Sequence, residues 1–201
     1  MRNIEIIEQN DSNLTTLEDT KEYLEIDDTG KDNLLQQLIN TASQFIKTET
    51  GYEWVKTTYK ELIDGERTET LILTQRPIIS VTSLVINGET IDSGNYYIYN
   101  EAGMLKRQDV GIYDVGYTHS FRRGLLFPRG QQNIEVQYVA GYDDVPYDLQ
   151  KAVWSMVNTQ LESKNYEGLE SYSIGDESIK WRASGLPAEV QQTIMKYKSV
   201  V

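Results

Sequence analysis

Side chains able to do chemistry are sparse in this sequence. There is one histidine, His119, and no cysteine. Thiolate nucleophiles, disulfides and Cys-ligated zinc are therefore excluded together, and any imidazole base is His119 or none. His119 sits in Tyr117-Thr118-His119-Ser120-Phe121-Arg122-Arg123, which reads as an exposed loop. A general base needs an orienting partner and a shielded pocket, so this histidine reads as facing solvent or a partner. The sequence has no phosphate-cradling glycine loop, dinucleotide-binding turn, His-Glu-x-x-His pair or Gly-x-Ser-x-Gly elbow. Asp27, Asp28 and Asp32 surround Gly30, but the glycine is misplaced for a calcium loop, and the acids read as turn and helix-cap residues. Asp143 and Asp144 precede Pro146 in the manner of helix-start acids. Among 31 acidic residues some pair always has the spacing of a hydrolase, so a carboxylate pair alone signals nothing. No catalytic, cofactor-binding or metal-ligating residue is assigned.

The segment 108–130 is the most unusual. In a chain of net charge −12 it gathers Arg122, Arg123 and Arg129 beside Phe121, Leu125, Leu126 and Phe127. A long loop carrying arginine and aromatic residues suits a protein partner. The candidate contact residues are thus Phe121, Arg122, Arg123, Leu125, Leu126 and Phe127. The competing reading is a β-hairpin whose apolar residues cover a sheet edge. Nucleic-acid contact is the weakest reading, because three arginines make a small patch. Tyr96, Tyr97 and Tyr99 form a second cluster, which cross-strand pairing explains without a ligand.

The elements that must position these residues follow from periodicity. Residues 1–13 read as a flexible N-terminal tail. Thr15 with Glu18 reads as a capping box opening a short helix to about Leu24. A longer helix is expected from Asp32, with Leu34, Leu35, Leu38, Ile39, Ala42, Phe45 and Ile46 on one stripe and Gly51 as its left-handed stop. Period-two segments follow. They are 55–63 and 69–74 around Asp64-Gly65, then 80–86 closed by Asn87-Gly88, then 95–99 and 103–106, and last Ile134 to Ala140. Helix returns at Pro146 with Leu149, Ala152, Val153, Met156, Val157 and Leu161 buried, a small hairpin is expected within 172–181, and a final helix opens at Pro187. The fold class is α+β. A helical core of about four helices, 14–56 and 145–201, carries an inserted antiparallel β-rich region, 57–144. No run approaches the ~20 apolar residues of a membrane span, and the charged N-terminus does not suit a secretion signal.

Taken end to end, residues 14–197 resemble the head–tail connector, adaptor or head-completion proteins of tailed bacteriophages and prophages. The resemblance is carried by Leu14-Thr15-Thr16-Leu17-Glu18-Asp19 with Lys21 and Tyr23-Leu24, and by the helix Asp32 to Gly51 with its Leu-Ile-x-x-Ala-Ser-x-x-Ile pattern at Leu38 to Ile46. It continues through Arg76-Pro77-Ile78-Ile79-Ser80-Val81-Thr82-Ser83 and the stretch Val136 to Val153. It ends in Ile174-Gly175-Asp176-Glu177-Ser178-Ile179 and Leu186-Pro187-Ala188-Glu189-Val190. The 1–13 segment and the expanded 108–130 segment depart from the pattern.

The resemblance implies a non-enzymatic virion protein with no cofactor. Copies of it would form a ring at the head–tail junction, bind the portal protein and receive the next neck or tail-completion protein. Double-stranded DNA would pass without specific binding, and no membrane would be involved. The protein would reside in the virion, and in the host cytoplasm during assembly. A rival from another class is an acidic cytoplasmic module that recognises carbohydrate or peptide through the tyrosine-rich sheet; a small carboxylate hydrolase ranks third.

Overall fold

The computed structural model describes residues 2–9, 12–108, 126–166 and 186–198. The chain divides into two compact units, one of residues 1–10 and 56–143, the other of 11–55 and 144–201. The described residues hold eight strands, all antiparallel, and four helices, an α+β fold.

The first unit is built from two sheets. The larger contains β1 (Arg2–Gln9), β2 (Thr57–Gly65), β4 (Ile78–Ile86), β5 (Glu89–Thr90) and β8 (Gly130–Ala140), in the order β1-β2-β8-β4-β5. The smaller contains β3 (Thr70–Ile72), β6 (Tyr96–Tyr99) and β7 (Met104–Arg107), in the order β3-β7-β6. Alternation sets which face is buried. Tyr59 and Ile63 of β2, Leu84 and Ile86 of β4, and Ile134, Val136, Tyr138 and Ala140 of β8 form one core with Leu71, Tyr96 and Leu105 of the small sheet. The Asn87-Gly88 turn has positive φ at both residues, 52° and 82°, as a two-residue type I′ hairpin demands, and it joins β4 to β5.

Two expectations are corrected here. Residues 2–9 are a strand, not a loose tail: β1 pairs along its length with β2. Its side chains are almost all exposed, so composition does not betray it; a backbone ladder holds it. Asp64-Gly65 is not a hairpin turn between β2 and β3, which lie in different sheets. Gly65 is required for another reason. A Cβ there would lie 1.7 Å from the Pro128 carbonyl oxygen, so the glycine permits a close backbone approach.

The second unit is helical: α1 (Leu17–Tyr23), α2 (Asp32–Thr50), α3 (Tyr147–Tyr166) and α4 (Ala188–Tyr197). Helix α2 follows its stripe, with Leu35, Leu38, Ile39, Ala42 and Ile46 buried, and Gly51 ends it in the left-handed conformation at φ 79°. It packs on α3, whose Leu149, Ala152, Val153, Met156 and Val157 are buried. The cap of α1 is Thr16, one residue later than expected: its hydroxyl accepts from the Asp19 amide at 3.1 Å. Thr15 is buried, and its hydroxyl instead accepts from Trp154 Nε1 at 2.9 Å. Trp154 is further held by stacking on Tyr23, with ring centroids 4.9 Å apart, and by an edge contact with Tyr147.

Candidate assembly interface

The candidate contact residues fall into three groups. Phe121, Arg122, Arg123 and Leu125, with His119, lie outside the described residues, as does the hairpin expected within 172–181. Leu126 is half-buried. Phe127 is fully buried in the core of the first unit, and its amide donates to Thr68 O at 2.7 Å. Phe127 is therefore withdrawn as a contact residue. It packs instead in the core that the two sheets share.

Three of the acids flagged in the sequence have local partners. Asp28 accepts from the Gly30 amide at 2.8 Å, Asp32 pairs with Lys21 at 2.7 Å and Asp143 with Lys56 at 2.7 Å. No group of acidic or histidine residues that could hold a metal ion occurs among the described residues, nor any helix long and apolar enough to cross a membrane.

The sequence reading missed a buried carboxylate. Glu61, with no solvent exposure, faces the core between Tyr59 and Ile63. It accepts from the Thr74 hydroxyl at 2.6 Å, the Thr74 amide at 3.1 Å and the Tyr138 hydroxyl at 2.9 Å, and Arg2 reaches within 3.9 Å. Burial, reinforced by this neighbouring carboxylate, pushes the Tyr138 phenol far above its ordinary range. The Tyr138 hydroxyl also accepts from the Gln75 amide at 3.2 Å. With its donors satisfied the network is a structural clasp joining β2, β8 and the 74–75 segment. Strand parity was the available signal: position 61 shares its face with 59 and 63.

In the second unit, Asp148 accepts from Lys196 at 2.7 Å and from the Tyr197 hydroxyl at 2.8 Å, tying the start of α3 to the end of α4. Desolvation acts to raise the Asp148 carboxyl. The hydrogen bonds from Lys196 and Tyr197 outweigh it and hold the group below its ordinary value.

What the first unit offers among the described residues is exposed apolar surface, on the small sheet and on β1. The outer face of the small sheet sets Ile72 opposite Met104 and Met104 opposite Tyr99, with Tyr97 opposite Lys106 in the next row. Ile72, Tyr97 and Tyr99 are 56%, 52% and 45% exposed. The second place is β1, where Ile4, Ile6 and Ile7 are 39%, 50% and 48% exposed. Both surfaces have the composition of an interface.

The profile of the head completion protein family matches residues 13–200. The chain belongs to this family. It is a family of phage structural proteins, not a class of enzymes. No curated protein matches the sequence. Solved structures share its fold, among them these three. One is the neck of an empty gene transfer agent (GTA) particle computed with C6 symmetry, at 13% identity and a TM-score of 0.62. Another is the virion of a native GTA particle, at 14% identity and 0.61. The third is the neck of a native GTA particle computed with C12 symmetry, at 14% identity and 0.58. In each, the alignment covers 98% of this chain and 96% of the other. The expectation of a head-completion fold is met, including the β-rich portion.

Proposed function

We propose that copies of this protein close into a ring at the head–tail junction of a tailed phage or prophage particle. The ring extends the DNA channel of the portal protein and offers a docking surface to the next neck or tail-completion protein. The family match across residues 13–200 carries the reading. It is supported by end-to-end likeness of fold to chains of GTA particles whose necks were computed with cyclic symmetry. A ring arises when one patch binds a different patch on the next copy and the rotation closes. The net charge of −12 suits a conduit, because acidic walls give passing DNA no lasting grip. The protein acts in the virion and assembles in the host cytoplasm.

Electron microscopy of the full chain mixed with the portal protein of the same particle tests the proposal. A collar of density on the outer end of the portal, with more acidic than basic groups on its inner wall, is the expected result. A bare portal overturns the ring; a net basic wall overturns the passive conduit.

A further inference from the structure

We propose that β1 is a donated arm: in the assembled ring, Arg2–Gln9 of each copy pairs with β2 of the next copy. The inference deepens the ring reading, rests on it, and names the surfaces that would close the ring.

The first argument is complementarity. The β2 edge presents Lys60 and the buried Glu61 to whatever strand lies beside it. In the observed register the Arg2 guanidinium reaches to 3.9 Å from the Glu61 carboxylate, while Lys60, opposite Glu5, pairs with Glu135 of β8 at 3.0 Å. A base on β1 meets a buried acid on β2, so the occupant this edge fits is β1 itself.

The second argument is how lightly β1 is held. Seven of its eight residues are exposed and none is fully buried, so its attachment is a backbone ladder with little apolar burial behind it. Elements held this way lie at the low end of local stability. An identical ladder on a neighbouring copy costs no contact, which makes exchange a low-cost route to association.

The third argument is exposure. Edge strands are ordinarily kept short, bulged, charged with lysine or covered. β3 and β6 are three and four residues long. β4 has two irregularities against β8, β5 along its end, and Asn100 bonded to both polar groups of Ile78. β1 has one irregularity, at Ile6/Glu8, and carries Arg2, Glu5 and Glu8, yet it runs for eight residues with three exposed isoleucines and neither lysine nor proline. A donated arm brings the body of its own copy with it, and that body can cover Ile4, Ile6 and Ile7. Each copy gives one strand and receives one through unlike surfaces, the condition for a closed ring.

The absence of cysteine from the chain makes the test clean. One preparation carries Glu5→Cys and a second carries Lys60→Cys, positions directly opposed across the ladder. The two are mixed, assembled on the portal protein and oxidised. A disulfide-linked dimer in the assembled fraction is expected, and the double variant is expected to give a ladder of linked chains on a denaturing gel. The unassembled double variant, oxidised alone, supplies the reference for linkage within one copy. If rings form but the double variant runs only as a linked single chain, and the mixture gives no dimer, the arm stays at home. The proposal is then overturned while the ring stands. If the unmodified chain forms no ring, the ring reading fails and this proposal falls with it.

Discussion

At the scale of single residues, Glu61 is the most consequential side chain in the first unit. Its carboxylate meets three donors from two neighbouring segments. Glu61→Leu fills the space but leaves the Thr74 amide, the Thr74 hydroxyl and the Tyr138 hydroxyl without their acceptor. The expected cost is about 3 kcal/mol, or a fall in Tm on the order of 10 °C, read by calorimetry. Glu61→Gln keeps a carbonyl oxygen in place and is expected to cost roughly a third of that. Equal losses for the two would mean that charge, not hydrogen bonding, holds the clasp. Position 61 was legible as inward-facing from its parity with Tyr59 and Ile63, but its partners were not, since Thr74 and Tyr138 arrive by tertiary pairing. The same limit explains Phe127. Composition marked it as apolar and unusual, and only the fold reveals that it faces inward. Thr15 and Thr16 compete for one capping role, and the competition is decided by the indole of Trp154, 139 positions away in the chain.

At the scale of elements, local patterns were legible and pairings were not. Helices α2 and α3 announced themselves through apolar stripes and stop signals. The Asn87-Gly88 turn and the alternation of β8 were equally plain. The strand β1 was lost because no side-chain pattern is imposed on an edge that buries nothing. The β2–β3 hairpin was misread because the glycine that looked like a turn answers to Pro128. The short α4 illustrates how an element too small to stand alone is held. It buries Val190 and Ile194 and is pinned by Asp148 through Lys196 and Tyr197. The Asp148 carboxyl is depressed below its ordinary value near 3.8. Its contribution is therefore fully present above that pH and is lost as pH falls through the folded value. Asp148→Asn is expected to cost about 1 kcal/mol near neutrality, discounted for the solvent exposure of the pair. The gap between wild type and variant, followed by thermal unfolding, is expected to close as the pH is lowered below 4. A gap that persists unchanged into acid would mean that the carboxylate charge is not what matters.

At the scale of the whole molecule, the decisive quantity is the charge each copy brings to its neighbour. Every copy carries −12, so closing a ring gathers like charge around one axis. In the ring proposed above, this repulsion would be opposed by apolar contact, which ionic strength barely affects, and, with β1 exchanged, by the attraction of Arg2 for Glu61. One such pair per copy, its nearest atoms 3.9 Å apart, is too little to reverse a field set by twelve excess charges on each copy. Salt acts on the two electrostatic contributions in opposite directions, and the larger one decides the sign. The screening length shrinks from about 30 Å at 0.01 M to about 8 Å at 0.15 M, so added salt removes more repulsion between whole copies than attraction between adjacent side chains. Ring assembly on the portal is therefore expected to strengthen as salt rises across that range, measured as the bound fraction in sedimentation. Weakening over the same range would mean that ion pairs hold the ring, and would move the search for its contacts from the isoleucines of β1 to the charged surface.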